Sequence, residues 1–279
     1  MKNFNLDGKI LLNSSRNCLK YIIKVYNIKK IHIPYYVCPV IWQSLRQENV
    51  QIAFYHIDKF FMPEKKFEKE DYILYINYFG LCGKQSKILA NKYKNLILDN
   101  AHAFFAENLG LASFSSPRKF FNVNDGGILN CEKELNYELQ QDENRNIKIF
   151  DFNSFCKNEL SIDNQPLKKI SNITYKKLLE INFEDEAIKK KNIFNQIRNI
   201  FKNINEYEIK ITDEDIPMIY PLISKHNEFI ANFLSKNGIY TLKYWSELPN
   251  NFTESLFQNK MLAIPIIKKS SEICSFLSF

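Results

Sequence analysis

No two cysteines in this sequence are spaced Cys-x-x-Cys. Cys18, Cys38, Cys82, Cys131, Cys156 and Cys274 are scattered, which argues against a zinc site and against a disulfide framework. The four histidines also lack metal-ligand spacing, so no metal is expected. No apolar run approaches the length of a membrane span, and the opening residues MKNFNLDGKI hold no signal core. A cytoplasmic protein without membrane contact is therefore the expectation. There is no internal repeat and no low-complexity linker. Glycine is scarce, at 7 of 279 residues, while Lys, Asn and Ile are abundant. That skew reflects genome base composition more than a structural demand.

What is present suits a folded α/β protein. A chain of 279 residues can form one large domain, or a large one with a smaller one appended. Apolar residues make up 45% and charged residues 25%, and 23 Phe with 15 Tyr supply ample surface to bury. Disorder is excluded on that ground. The formal charge of +7 is read as lysine-rich solvated helix faces. The run KKK at 189–191 sits in a helical pattern without interleaved aromatics, so no nucleic-acid partner is expected. A modest positive field still suits a phosphate-bearing ligand.

Along the first half, strand and helix patterns alternate. An apolar start at 10–12 leads to a helix capped near Asn13, Ser14 or Ser15. IHIPYY, QIAFYHID, DYILYINYFG and NLILD read as strands, with helices between them. This alternation predicts parallel βαβ units. Further on, the stretch from Thr174 reads as one long helix, IPMIYPLI and IYTLKYW as strands, and HNEFIANFLSKNG as a helix stopped by Gly238. The predicted division is a large α/β domain over 1–165 and a small α+β domain over 166–279. Trp245 and Tyr220 read as core of the small domain.

Residues 96–105, LILDNAHAFF, carry the first chemical signal. A buried strand ends in Asp99, and His102 follows. Ligands of open α/β sheets sit beyond the carboxyl ends of strands. Lys119 follows in SPRKFFNVNDGG, and Ser14, Ser15 and Arg16 lie at a helix start. Pyridoxal phosphate (PLP) needs this set of parts. An acid keeps the ring nitrogen protonated, a lysine forms the Schiff base and moves protons, and helix-start amides with hydroxyls hold the phosphate. Asp99, Lys119 and Ser14–Arg16 fill those roles, and His102 can hydrogen-bond the ring oxygen or stack on the ring. Read singly, each has a plain alternative: Asp99 as a cap or loop acid, Lys119 as a surface lysine, His102 as a satisfied imidazole, the serines as turn formers, and Arg118 as a solvated charge.

In order, NSSRNCL, IPYYVCPVI, YFG, LDNAHA and SPRKFFNVNDGG, followed by the C-terminal IYPLI, LSKNGIYTLKYW and LAIPI, make the chain resemble the DegT/DnrJ/EryC1/StrS family of PLP-dependent aminotransferases. The resemblance spans most of the chain. It implies the PLP-transferase fold type I, with a mostly parallel central sheet and a small C-terminal α+β domain. It also implies a homodimer, transamination with glutamate as amino donor, and a keto-sugar or small keto or aldehyde acceptor feeding surface polysaccharide synthesis. By position it assigns catalysis to Lys119, Asp99 and His102, and cofactor contacts also to Ser14, Ser15, Arg16, Ser115 and Ser116.

The chain departs from the family in three places. No Gly-Tyr-Asn-x-Arg-Met segment follows the lysine region. The ring-stacking aromatic falls near Cys38, where Tyr36 is the available substitute. Ser15 stands where the family has glycine, at a backbone cost wherever positive φ is needed. Three alternatives follow: a non-catalytic relative kept as a binding partner, a PLP enzyme of another reaction type such as a dehydratase or decarboxylase, or a nucleotide-sugar-handling protein without PLP.

Overall fold

The computed structural model describes residues 6–143, 145, 152–245 and 248–277. Part of the 135–165 stretch, whose sequence reads as helix and loop, therefore lies outside the described residues. Chain order begins with β1 (Ile10–Leu12), α1 (Ser15–Tyr26), β2 (Lys30–Pro34), α2 (Pro39–Gln47), β3 (Gln51–Tyr55) and β4 (Ile73–Ile76). A 3-10 turn over Tyr78–Gly80 leads to α3 (Gly83–Lys92), β5 (Leu96–Asn100) and β6 (Ala112–Ser115). A second 3-10 turn, Pro117–Lys119, precedes β7 (Gly127–Cys131) and α4 (Phe152–Ile162). Then come α5 (Asn172–Leu179), α6 (Phe183–Phe201), β8 (Ile219–Leu222), α7 (Asn227–Lys236), α8 (Ser255–Lys260), β9 (Leu262–Pro265) and α9 (Lys268–Cys274).

β1 to β7 form one sheet in the order β1-β7-β6-β5-β4-β2-β3. β7 runs antiparallel to both its neighbours, and the other pairs from β6 to β3 are parallel. The sheet is thus mostly parallel, as expected. Its central strands β4 and β5 are buried along their whole length, the pattern of strands covered on both faces. Each fully buried Leu or Ile there contributes about 1.5–3 kcal/mol. β8 and β9 form a separate antiparallel pair.

α1 starts where expected. Ser14, in extended backbone, accepts a hydrogen bond from the Asn17 amide, and Asn27 ends the helix at φ 51°. Ser15 is the first helical residue and needs no positive φ, so its lack of glycine freedom costs nothing here. The close approach is made instead by Gly127 of β7. A Cβ there would lie 2.5 Å from the Ser14 carbonyl oxygen and 2.6 Å from Cys18 Sγ. Glycine at 127 is what lets β7 carry the α1 start against the sheet.

Three sequence expectations are corrected. The IHIPYY strand ends at Pro34, which leaves Tyr35 and Tyr36 beyond β2. The long helix from Thr174 is two helices, because Asn182 caps a new start by accepting from the Asp185 amide. IYTLKYW forms no strand; it makes a single bridge, Leu242 to Ala263. Tyr240 and Leu242 are largely exposed, so the alternation there buries nothing that a ladder could stabilise.

Candidate active site

The carboxyl ends of β4, β5 and β6 lie side by side, with Ile76 opposite Asp99 and Asp99 opposite Phe114. Asp99 is therefore delivered to the sheet edge by the register of strands on both sides. It is 6% exposed. Its carboxylate accepts the Ala101 amide at 2.8 Å. Burial raises its pKa to about 6, against the opposing pull of the Ala101 amide and the Lys119 charge.

Lys119 ends the 3-10 turn that follows β6. Burial of its surroundings lowers its pKa; Cys38 and Asp99 work against this, and Arg118 and Arg16 add to it. The residue is nevertheless open to solvent, so water screens part of that effect, and only its direction bears on the chemistry. An exposed lysine, less basic than usual and electrostatically coupled to a buried carboxylate, is a nucleophilic amine with a proton acceptor in its field.

His102 is 2% exposed and its Nδ1 has no partner. Burial, and then the Lys119 charge, push its pKa well below the ordinary value, so the imidazole is neutral. Two parallel rings face it. Phe79 lies 5.4 Å away at 21° and Trp245 5.4 Å away at 13°. Both rings come from residues in left-handed backbone, Phe79 at φ 57° and Trp245 at φ 50°, a strain of about 1–3 kcal/mol each. Trp245 is thus a wall of this site and not simply core of the C-terminal part. Nothing local in the sequence signals this, whereas Tyr220 is buried core as expected. Tyr36 is fully buried against Tyr78, Phe257 and Trp245, and its Oη is unpartnered. Cys38, at the α2 start, is the residue of that segment that acts on Lys119.

Ser15 Oγ donates to the Ser115 carbonyl at 3.1 Å. Ser14 caps α1, and buried Ser116 precedes the lysine turn. Asp125 is buried and anchors the far side, accepting from the Ser171 amide at 2.8 Å and from the Ser171 and Thr174 hydroxyls. Arg16 and Arg118 both contact Glu159 of α4. Sequence reasoning does not single out Glu159, which stands 143 residues from Arg16. Among the described residues no His, Cys, Asp and Glu group could hold a metal, and no helix is long and apolar enough to cross a membrane.

No protein-family model matches the sequence, and no curated protein matches it. Solved structures do share its fold. An aminotransferase described as DegT DnrJ EryC1 StrS, from Brucella abortus, is 12% identical, with 96% of this chain and 84% of that one covered at a TM-score of 0.64. Helicobacter pylori PseC, an aminotransferase involved in the biosynthesis of pseudoaminic acid, is 15% identical over 96% and 85%, at 0.62. Bacillus subtilis NtdA with bound cofactor PMP is 14% identical over 95% and 71%, at 0.66. The fold of this chain is that of these PLP-dependent aminotransferases.

Proposed function

We propose that this chain is a PLP-dependent aminotransferase acting on a keto-sugar or a small keto or aldehyde compound. One observation carries the reading: a buried carboxylate at a strand end, Asp99, is electrostatically coupled to an exposed amine, Lys119, on the turn whose preceding strand meets a serine-capped helix start. The cofactor fits these residues. Asp99 offers an acceptor with a single hydrogen bond, and the buried Nδ1 of His102, three residues on, lacks a partner.

When bound, PLP supplies an electron sink for charge developing at the substrate carbon. Asp99 holds a proton at the ring nitrogen, since a cationic partner favours its ionised form. Lys119 Nζ would be the amine that holds the cofactor, and the group that moves the proton to and from the substrate carbon. Neutral His102, stacked near Phe79 and Trp245, would supply a contact to the ring. The α1 amides with Ser14, Ser15, Ser115 and Ser116 would hold the phosphate. The sugar acceptor is supported by the pseudoaminic acid role of PseC. We further infer glutamate as donor, a homodimer, a place in surface polysaccharide synthesis in the cytoplasm, and a division at 165/166, with the seven-stranded sheet before it and the β8–β9 pair after it.

The test is an absorption spectrum with added PLP. The wild type should show a visible band that Lys119→Ala lacks, and added glutamate should convert the bound cofactor to its amine form. No band in the wild type would overturn the reading and leave a PLP-free relative. A band that glutamate leaves unchanged would point to another PLP reaction or donor.

A further inference from the structure

β1 is an end strand of the seven-stranded sheet, and chain from elsewhere covers its outer side. Leu11 O accepts the Ile170 amide at 3.1 Å, and the Asn13 amide donates to Lys168 O at 3.0 Å. The stretch at 140–142 is fastened to Lys169 in turn. The Lys169 amide donates to Gln140 O at 2.8 Å, and the Asp142 amide to Lys169 O at 3.1 Å. Together with residues 134–139 and Tyr21 of α1, these stretches line a cavity of about 450 Å³, within the roughly 300–1,000 Å³ of small-molecule sites. None of Asp99, His102 and Lys119 lines it. Backbone hydrogen bonds tie its walls, so its shape exists before any ligand arrives.

Leu12, Ile170 and Tyr21 are buried and give the cavity apolar surface. Tyr137 and Tyr175, also in the lining, are 53% and 39% exposed and pack on no other ring among the described residues. Phenol rings left bare at a cavity suit a flat apolar body. Lys9 and Lys169 bring positive charge from β1 and from the stretch bridged to it, and Glu134 and Glu138 bring negative charge from the stretch after β7. Among the described residues no ion pair joins these cations to these acids. Half-buried Lys9 Nζ donates instead to neutral Asn130 Oδ1 at 2.7 Å, and burial lowers its pKa with no carboxylate drawing it back. The Tyr21 hydroxyl accepts the Leu135 amide at 3.0 Å and lies in the field of Glu134. Charges of both signs that share a cavity without neutralising one another match a ligand carrying both.

We propose that this cavity binds a free α-amino acid with an aromatic side chain. Its carboxylate pairs with Lys9 and Lys169, its ammonium with Glu134 and Glu138, and its ring lies on Leu12, Ile170 and the tyrosines. The site stands or falls apart from the aminotransferase reading, because it uses none of the residues given to the cofactor.

The experiment is calorimetric titration of L-phenylalanine into the full chain without PLP, so that no amine reacts with the cofactor. Hydrocinnamate lacks the ammonium, and phenethylamine lacks the carboxylate. Each should bind at least about tenfold more weakly than phenylalanine, and phenylalanine should weaken as much on Lys9→Met and on Glu134→Gln with Glu138→Gln, since each change removes a charged contact. Thermal melts show which variants fold, and the two analogues decide the matter even where one does not. No binding of phenylalanine would overturn the proposal, as would equal binding of all three compounds or binding that ignores the substitutions. Sedimentation of wild type and Tyr137→Asp tests the other occupant. A dimer that this substitution splits, with no phenylalanine bound, makes the cavity a contact between copies of the chain and overturns the amino-acid site.

Discussion

Asp99→Asn separates what this carboxylate costs from what it does. The buried acid titrates at about 6 where 3.8 is ordinary. Holding it ionised at neutral pH therefore costs the cofactor-free fold about 3 kcal/mol. Asparagine keeps the shape and can still accept from the Ala101 amide, but it carries no charge to desolvate. The variant should be more stable than wild type at pH 7 by up to about 3 kcal/mol, or about 5 °C in Tm for a chain of this size. The sign follows from linkage. With its folded pKa raised, the acid's protonated form favours the fold fully below its unfolded pKa of 3.8, and that contribution is lost as pH rises through about 6. The gain from Asp99→Asn should therefore shrink toward zero between pH 6 and pH 4. Urea unfolding of the cofactor-free proteins across pH 4 to 8 reads this directly. With PLP the order reverses, because the ring nitrogen loses its counter-charge, and turnover should fall more than about a hundredfold. A variant less stable than wild type at pH 7, or a difference that ignores pH, would refute the reasoning.

Three further substitutions test the scaffold. Gly127→Ala places a methyl 2.5 Å from the Ser14 carbonyl; it should cost about 3 kcal/mol in urea unfolding and loosen PLP binding through the displaced α1 start. Asp125→Ala strips acceptors from Ser171 and Thr174 at the α5 start; a loss of about 3 kcal/mol in thermal unfolding is expected, with the visible band retained once PLP is saturating. Trp245→Ala uncovers His102, whose pKa now lies well below the ordinary value through burial. Its NMR titration should move upward toward the normal range, and an unmoved titration would show that the indole does not seal the site.

Much of the fold was legible because it depends on neighbours in sequence. The run Leu96–Leu98 can only be a buried strand, and an acid at its end must fall at the sheet edge. Ser14 caps α1 through a contact three residues away. The IYTLKYW strand failed because alternation promises a ladder only where there is a face to bury, and Tyr240 and Leu242 meet water.

By itself, then, the sequence settled the strand and helix alternation, the place of Asp99, Lys119 and the serine cap, and the order in which they follow. These are short-range consequences of periodicity, capping and turn chemistry. Tertiary structure alone decided that Phe79 and Trp245 close on His102 from left-handed backbone, that Gly127 and not Ser15 makes the tight approach, and that Glu159 joins Arg16 to Arg118. Arg16 and Glu159 are 143 residues apart. No local pattern records such a pairing, because packing of whole elements sets which distant side chains share a space too dry for unpaired charge.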